Sequence, residues 1–369
     1  MTWVVLGVAT LLAWSNGSND NFKGVSTVYG SESASYKTAL AWATVTQLAG
    51  SLLTLALAAG LVQTFSAKGL VPDAVAVSPI FLGAAALGAG LTVLLATLLG
   101  LPVSTTHGLT GALIGAGLAT GAGVNLGVLG KTFVLPLLLS PVLAMALSAV
   151  LYPSARFARR RLGIERESCV CIGTEYVPIR LAAAGGAKSS VEAVQLAINT
   201  GVGCAERYQG VVLGVSAQRV LSSLHFLSAG AVCFARGLND TPKIIALLIG
   251  AKALSGSAGL PLVAVAMAVG GLLASRRVAE TMAKKITPLN AGQGFIASLT
   301  TAGLVIAASR FGLPVSTTHV ATGGIFGIGT VTGQARGKMV LAILTAWVTT
   351  LPLGAALGAV SFMALRAFA

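Results

Sequence analysis

The stretch Leu101-Pro102-Val103-Ser104-Thr105-Thr106-His107 returns, residue for residue, as Leu313-Pro314-Val315-Ser316-Thr317-Thr318-His319, an offset of 212 (313 − 101). A second pair lies upstream: Gly17-Ser18-Asn19-Asp20-Asn21-Phe22-Lys23 answers to Gly237-Leu238-Asn239-Asp240-Thr241-Pro242-Lys243, an offset of 220 (239 − 19). Both halves therefore run in the same order, G-x-N-D-x-x-K and then L-P-V-S-T-T-H. Seven identities in a row do not arise by chance at this composition. Two equivalent halves, each with an interrupted helix, are the sequence sign of a secondary transporter whose binding place lies at the repeat interface.

The composition names the solvent. Of 369 residues, 55% are hydrophobic and 9% charged, with a mean hydropathy of +0.87, whereas a soluble domain carries about 25% charged residues. This excludes a soluble enzyme, a disordered chain and a fibre, and points to a bilayer. The net charge of +14 comes from 24 Lys+Arg against 10 Asp+Glu. In so apolar a chain it reads as basic loops facing the cytoplasm and anionic lipid, not as a nucleic-acid surface.

Apolar runs cover residues 3–13, 38–65, 77–99, 101–118 and 126–152, then 220–235, 242–249, 259–274, 292–308, 313–328 and 338–368. A span needs about 20 such residues, so the expectation is an all-α integral membrane protein of about 10–12 transmembrane segments. They fall into two repeats with broken or re-entrant half-helices. The N-terminal repeat covers 1–152, a central basic loop region 153–218, and the C-terminal repeat 219–369. The cluster Arg156, Arg159, Arg160, Arg161, Glu165, Arg166 and Glu167, and the group Arg276, Arg277, Lys284 and Lys285, are both expected on the cytoplasmic side. The first-half counterpart of the latter, residues 66–76, carries only Lys68 and Asp73, which favours inverted over parallel repeats. Cys169 and Cys171 sit beside the basic cluster, on the reducing side, so no disulfide is expected. A metal site made of Cys169, Cys171 and Cys204 is the minor alternative.

Among the ten acids only Asp20 and Asp240 follow directly on an apolar helix, at repeat-equivalent positions. An ionisable group inside the membrane costs at least ~2.5–3.5 kcal/mol, so two placed symmetrically imply a use. Ion pairs Asp20–Lys23 and Asp240–Lys243 at i, i+3 are the structural reading. The functional one is that Asn19, Asp20, Asn239 and Asp240 offer oxygens to a hard cation such as Na⁺. The hydroxyl segments suit an anion. Pro102 and Pro314 end the preceding run. Ser104 and Ser316 are good N-caps for a new half-helix, and a helix N-terminus offers free N–H groups and a partial positive charge. Ser104, Thr105, Thr106, Ser316, Thr317 and Thr318 together could surround a tetrahedral oxyanion. His107 and His319 are accessory candidates, orienting hydroxyls or relaying protons. A Ser-His hydrolase does not fit: Ser104 and His107 share one short segment, there is no G-x-S-x-G, and active sites rarely come as two equal copies. No enzyme activity and no cofactor are expected.

With these residues in view, the chain resembles the inorganic phosphate transporter (PiT) family, whose repeated signatures G-x-N-D-x-x-K and P-V-S-T-T-H match twice and in order. The resemblance covers both halves. It implies cation-coupled uptake of inorganic phosphate at the cell membrane, inverted repeats and a homodimer. Carried over, Ser104, Thr105, Thr106, Ser316, Thr317 and Thr318 match the phosphate-binding segments, and Asn19, Asp20, Asn239 and Asp240 the cation and substrate site, with Asp20 and Asp240 serving both. Na⁺ is the expected coupling ion. H⁺ coupling, transport of a metal–phosphate complex, sulfate transport as in some relatives, and an anion channel are the alternatives. HPO₄²⁻ carries a proton that a carboxylate can accept as a hydrogen bond, and sulfate carries none, so the two acids favour phosphate.

Overall fold

In the computed structural model, residues 1–165, 167–180, 188–207, 213–285 and 289–368 are described. Arg166 of the basic cluster, and the side chains of Lys284 and Lys285, lie outside them. The chain forms two compact units, one of 1–152 with 225–369 and one of 153–224.

The larger unit is helical. Numbering only the chain's long helices in order, the first half holds α1 (Thr2–Asp20), α2 (Tyr36–Leu52), α3 (Pro79–Leu98), α4 (Thr105–Ala119) and α5 (Leu135–Arg161). The second half holds α6 (Ala217–Gly250), α7 (Gly256–Ala274), α8 (Ala291–Arg310), α9 (Thr317–Thr332) and α10 (Gly337–Ala367). Among the described residues six helices are long and apolar enough to cross a membrane: α3, the stretch Leu126–Arg161 that contains α5, α6, α7, α8, and Val340–Ala367 of α10. Helices α4 and α9 have only 15 and 16 residues. At ~1.5 Å per residue they fall short of the ~30 Å apolar layer, as half-helices do. The chain is thus a multi-pass membrane protein.

Local sequence explains the breaks. Pro102 and Pro314 stop the chain after α3 and α8, and Ser104 and Ser316 then cap α4 and α9 by accepting from the N–H of His107 and His319. The two N-D segments differ. After Asp20 the helix tightens into a 3₁₀ turn, Asn21–Val25, whereas α6 runs unbroken through Asp240 with Pro242 inside it. The apolar run expected at 242–249 is therefore the end of α6 and not a separate segment. Gly24 lies in the turn where the second half has Ile244, and a side chain at 24 would strike Cys233.

Packing pairs the halves reciprocally. Gly17 of α1 lies against the Met267 carbonyl of α7, and its counterpart Gly237 against the Gln47 carbonyl of α2. Gly50 meets the Phe234 carbonyl, and Gly270 the Trp14 carbonyl. Likewise Gly111 and Gly115 of α4 abut Leu351 and Ala355 of α10, while Gly323 and Gly327 of α9 abut Pro141 and Met145 of α5. When residue i touches j and i's counterpart touches j's counterpart, the two halves are related by a two-fold. Lipid offers helices no hydrophobic drive to associate, so small residues that admit close approach carry the contact. Only 22% of each apolar window in α5 and α10 is buried, which leaves most of the apolar surface of these two helices exposed on the outside of the unit.

The smaller unit departs from the expected loop. It holds a three-stranded antiparallel sheet, order β2-β1-β3, of β1 (Ser168–Arg180), β2 (Lys188–Thr200) and β3 (Leu213–Ser216). Cys169 and Cys171 are buried while Val170 and Ile172 are exposed, the period-2 alternation of a strand. Contrary to the reducing-side argument, Cys171 and Cys204 form a disulfide. The short helix Gly201–Arg207 follows β2 and returns Cys204 onto β1, so the fold creates a contact that sequence separation hid. Cys169 stays a free thiol, with all three sulfurs within 4.8 Å of one another.

Three outcomes follow. Gly270→Val forces α7 off the Trp14 carbonyl and lowers thermal stability in detergent by about 1–3 kcal/mol or more. Gly303→Ala meets no atom within 4 Å and gains roughly 0.5–1 kcal/mol in helix propensity. Maleimide labelling of denatured, unreduced protein should reach two of the four cysteines, Cys169 and Cys233, and all four only after reduction. Four reactive thiols before reduction would remove the disulfide.

Candidate functional site

Four segments converge in the larger unit: the ends of α1 and the equivalent stretch of α6, and the N-termini of α4 and α9. The expected acids are its centre. Asp20 and Asp240 are 1% and 2% exposed, too buried to be solvated by bulk water.

Both i, i+3 ion pairs form. Lys23 Nζ donates to Asp20 Oδ1, and Lys243 Nζ to Asp240 Oδ1 at 2.9 Å. Each ammonium also reaches the hydroxyl segments. Lys23 donates to the Val103 carbonyl at 2.6 Å and to Thr318 Oγ1 at 2.8 Å. Lys243 donates to Thr106 Oγ1 at 2.6 Å and to the Val315 carbonyl at 3.3 Å. Each half's lysine therefore takes a threonine from the other half. Thr318 in turn donates to the Val103 carbonyl, and Thr106 to the Val315 carbonyl.

The asparagines brace the broken segments. Asn19 Nδ2 donates to Thr97 Oγ1 and the Leu101 carbonyl, and its Oδ1 accepts from the Val103 N–H. Asn239 Nδ2 donates to Asp240 Oδ1 and the Val315 carbonyl, and its Oδ1 accepts from Ser309. Thr105 donates to Asp20 Oδ2 at 3.2 Å, and Thr317 is buried at the matching place. Ser104 and Ser316 serve as caps. His107 and His319 meet across the interface, ring centroids 4.3 Å apart, with His319 stacked on Trp347 at 3.8 Å.

Two residues went unread in the sequence. Arg236 Nη2 lies 3.0 Å from Asp20 Oδ2 and 3.8 Å from Asp240 Oδ2. Asn16 Nδ2 donates to the same two oxygens, each at 3.2 Å, and to Thr105 Oγ1 at 2.9 Å. Asn16 and Arg236 are themselves repeat-equivalent (236 − 16 is the 220 offset), one helical turn before the acids. Extending the repeat alignment backwards by one turn would have found them. Arg236 is 3% exposed, and its Nε and Nη1 have no hydrogen-bond partner among the described residues.

The profile of the phosphate transporter family matches residues 16–358. The chain belongs to that family. Two proteins named "Putative phosphate permease" are similar along nearly their whole length. The one from Thermococcus kodakarensis is 27% identical, over 95% of this chain and 94% of its own. The one from Haemophilus influenzae is 29% identical, over 99% and 97%. A solved structure titled "The sodium-dependent phosphate transporter" superposes with a TM-score of 0.75 at 21% identity, covering 100% of this chain and 99% of its own. That likeness establishes the fold. A member of this family is a transporter and not an enzyme.

Removing one partner of a buried ion pair costs about 3–5 kcal/mol. Asp20→Asn and Asp240→Asn therefore each destabilise the protein by roughly that amount, besides abolishing phosphate uptake. Thr105→Val loses one hydrogen bond to a charged group, about 1.5–3 kcal/mol, and the neutral one it accepts from Asn16. Thermal denaturation of the purified variants checks the order, and a neutral Asp20→Asn would detach that acid from the network.

Proposed function

We propose that this chain imports inorganic phosphate by cation symport, with the anion held where the two repeats meet. The observation that carries this reading is Arg236. A guanidinium 3% exposed with two unpaired donors is a costly arrangement unless a ligand completes it. Its unpaired Nε and Nη1 donors suit the oxygens of a tetrahedral oxyanion. The first-turn N–H groups of Thr105, Thr106, Thr317 and Thr318 open the two short helices and lack intrahelical partners, and both helix N-termini favour negative charge.

Phosphate is preferred to sulfate because Asp20 and Asp240 flank the guanidinium. A protonated phosphate oxygen donates to a carboxylate, whereas sulfate meets it only with lone pairs and charge. Each half supplies one N-D helix and one hydroxyl segment, so rocking of two inverted halves about the site would expose it to either side in turn. Na⁺ and H⁺ are the two coupling ions this reading allows.

The test is uptake of labelled phosphate into proteoliposomes, under a Na⁺ gradient and under a pH gradient imposed separately. Accumulation against the phosphate gradient is expected, unaffected by excess sulfate, and it excludes a channel. Arg236→Gln should weaken phosphate binding about ten- to a hundred-fold, the equivalent of roughly 1.5–3 kcal/mol. A folded Arg236→Gln protein with full affinity would overturn the placement of the anion.

A further inference from the structure

We infer that the cation places of this site are held by the chain's own ammonium groups, Lys23 and Lys243, so that phosphate binds without a requirement for Na⁺. The inference rests on the phosphate reading above and concerns what balances the anion's charge.

The oxygen sets carry it. Around Lys23 Nζ stand a carboxylate oxygen of Asp20, the Val103 carbonyl and the Thr318 hydroxyl. Around Lys243 Nζ stand a carboxylate oxygen of Asp240, the Val315 carbonyl and the Thr106 hydroxyl. The two sets are the same by the two-fold: acid from the N-D segment, carbonyl from the hydroxyl segment of the same half, hydroxyl from the other half. Carboxylate, carbonyl and hydroxyl are the hard oxygens that a dehydrated alkali cation needs. An ammonium has three N–H donors, and each finds one acceptor. Both lysines are buried, at 2% and 0% exposure. Neither could leave its oxygens for water without a large movement of the chain.

The remaining oxygens expected to bind Na⁺ are also engaged. Asn19 Oδ1 accepts from the Val103 N–H and Asn239 Oδ1 from Ser309. Asp20 Oδ2 accepts from Asn16, Thr105 and Arg236, and Asp240 Oδ2 from Asn16. Each of these oxygens already accepts at least one protein donor. Charge points the same way. Lys23, Lys243 and Arg236 set three positive charges against the two of Asp20 and Asp240. One positive charge remains, and H₂PO₄⁻ neutralises it with no added ion. In a low-dielectric site neutrality is strongly favoured, so the preferred cargo is the monoanion, and its proton travels with it.

Two measurements on purified full-length protein decide this. The first is the melting temperature in NaCl against KCl at matched ionic strength and pH, without phosphate. A ligand that binds the folded state raises it, so equal values are expected, and a Na⁺-specific rise would overturn the inference whatever the fate of the phosphate reading. The second is binding of inorganic phosphate across a Na⁺ series at fixed pH and ionic strength. Affinity should stay within about two-fold, and a ten-fold rise would overturn the inference. Lys23→Ala and Lys243→Ala should bind phosphate at least about ten-fold more weakly in Na⁺-free medium and recover part of the loss as Na⁺ is added. Unchanged affinity in Na⁺-free medium would mean that the ammonium groups are not the resident cations. Where a variant does not fold, the wild-type Na⁺ series stands alone. Absence of phosphate binding in every medium would sink the phosphate reading, while the melting comparison still judges the lysines.

Discussion

Five charged side chains closed off from solvent hold this protein in one arrangement: Asp20, Lys23, Arg236, Asp240 and Lys243. In water such pairs contribute little. Buried, each charge depends on the others, because a carboxylate or ammonium left alone in a low-dielectric interior is far more costly than a broken surface pair. That dependence dictates the local structure around it. The ammonium groups need oxygens that a regular helix keeps for itself, and the prolines at 102 and 314 free the carbonyls of Val103 and Val315 to supply them. Threonines 106 and 318 then cross from one half to the other. Neither half completes its own lysine shell, so the halves are joined at the site as well as along their glycine-lined helices.

The site is symmetric in its frame and asymmetric at its centre. The main braces have twins: Asn19 with Asn239, Thr97 with Ser309, Thr106 with Thr318. The exception lies where Asn16 and Arg236 occupy equivalent positions and reach the same two carboxylate oxygens. Two arginines there would set four cations against two acids at close range, and two asparagines would remove the only guanidinium from the site. One of each keeps a bidentate donor beside the acids and lets the amide bridge them. A duplicated fold thereby sets one guanidinium against both acids where its halves meet.

Lipid and ligand make opposite demands on the same helices. Contact between the halves relies on small residues such as Gly17, Gly115, Gly270 and Gly327, which let one backbone lie on another's carbonyls. Outward, α5 and α10 present leucine and valine, among them Leu138, Leu143, Val348 and Val360. The polar groups are confined to the ends of short or interrupted helices, where unpaired backbone can be satisfied by side chains instead of water.

Sequence by itself determined the environment, the duplication and the chemistry on offer. Low charge and high hydropathy required a bilayer. Two identical L-P-V-S-T-T-H stretches required two equivalent halves, and proline beside serine marked where helices stop and restart. Asp20 and Asp240 stood out because acids on apolar helices are costly. These are local facts, carried by residues close together in the chain. What only the tertiary structure decided is which partners meet. Lys23 with Thr318, and Arg236 with Asp20, are separated by hundreds of residues, and no spacing rule relates them. Cys171 and Cys204, only 33 residues apart, are likewise brought together by a helix that returns onto a strand. The alternation of Cys169 and Cys171 with Val170 and Ile172 was legible as a strand, yet charge in the neighbouring stretch drew the region toward a loop. Local preference fixes where a helix ends. Which charge neutralises which is fixed only when two distant segments are brought to within about 3 Å, the range over which a hydrogen bond acts.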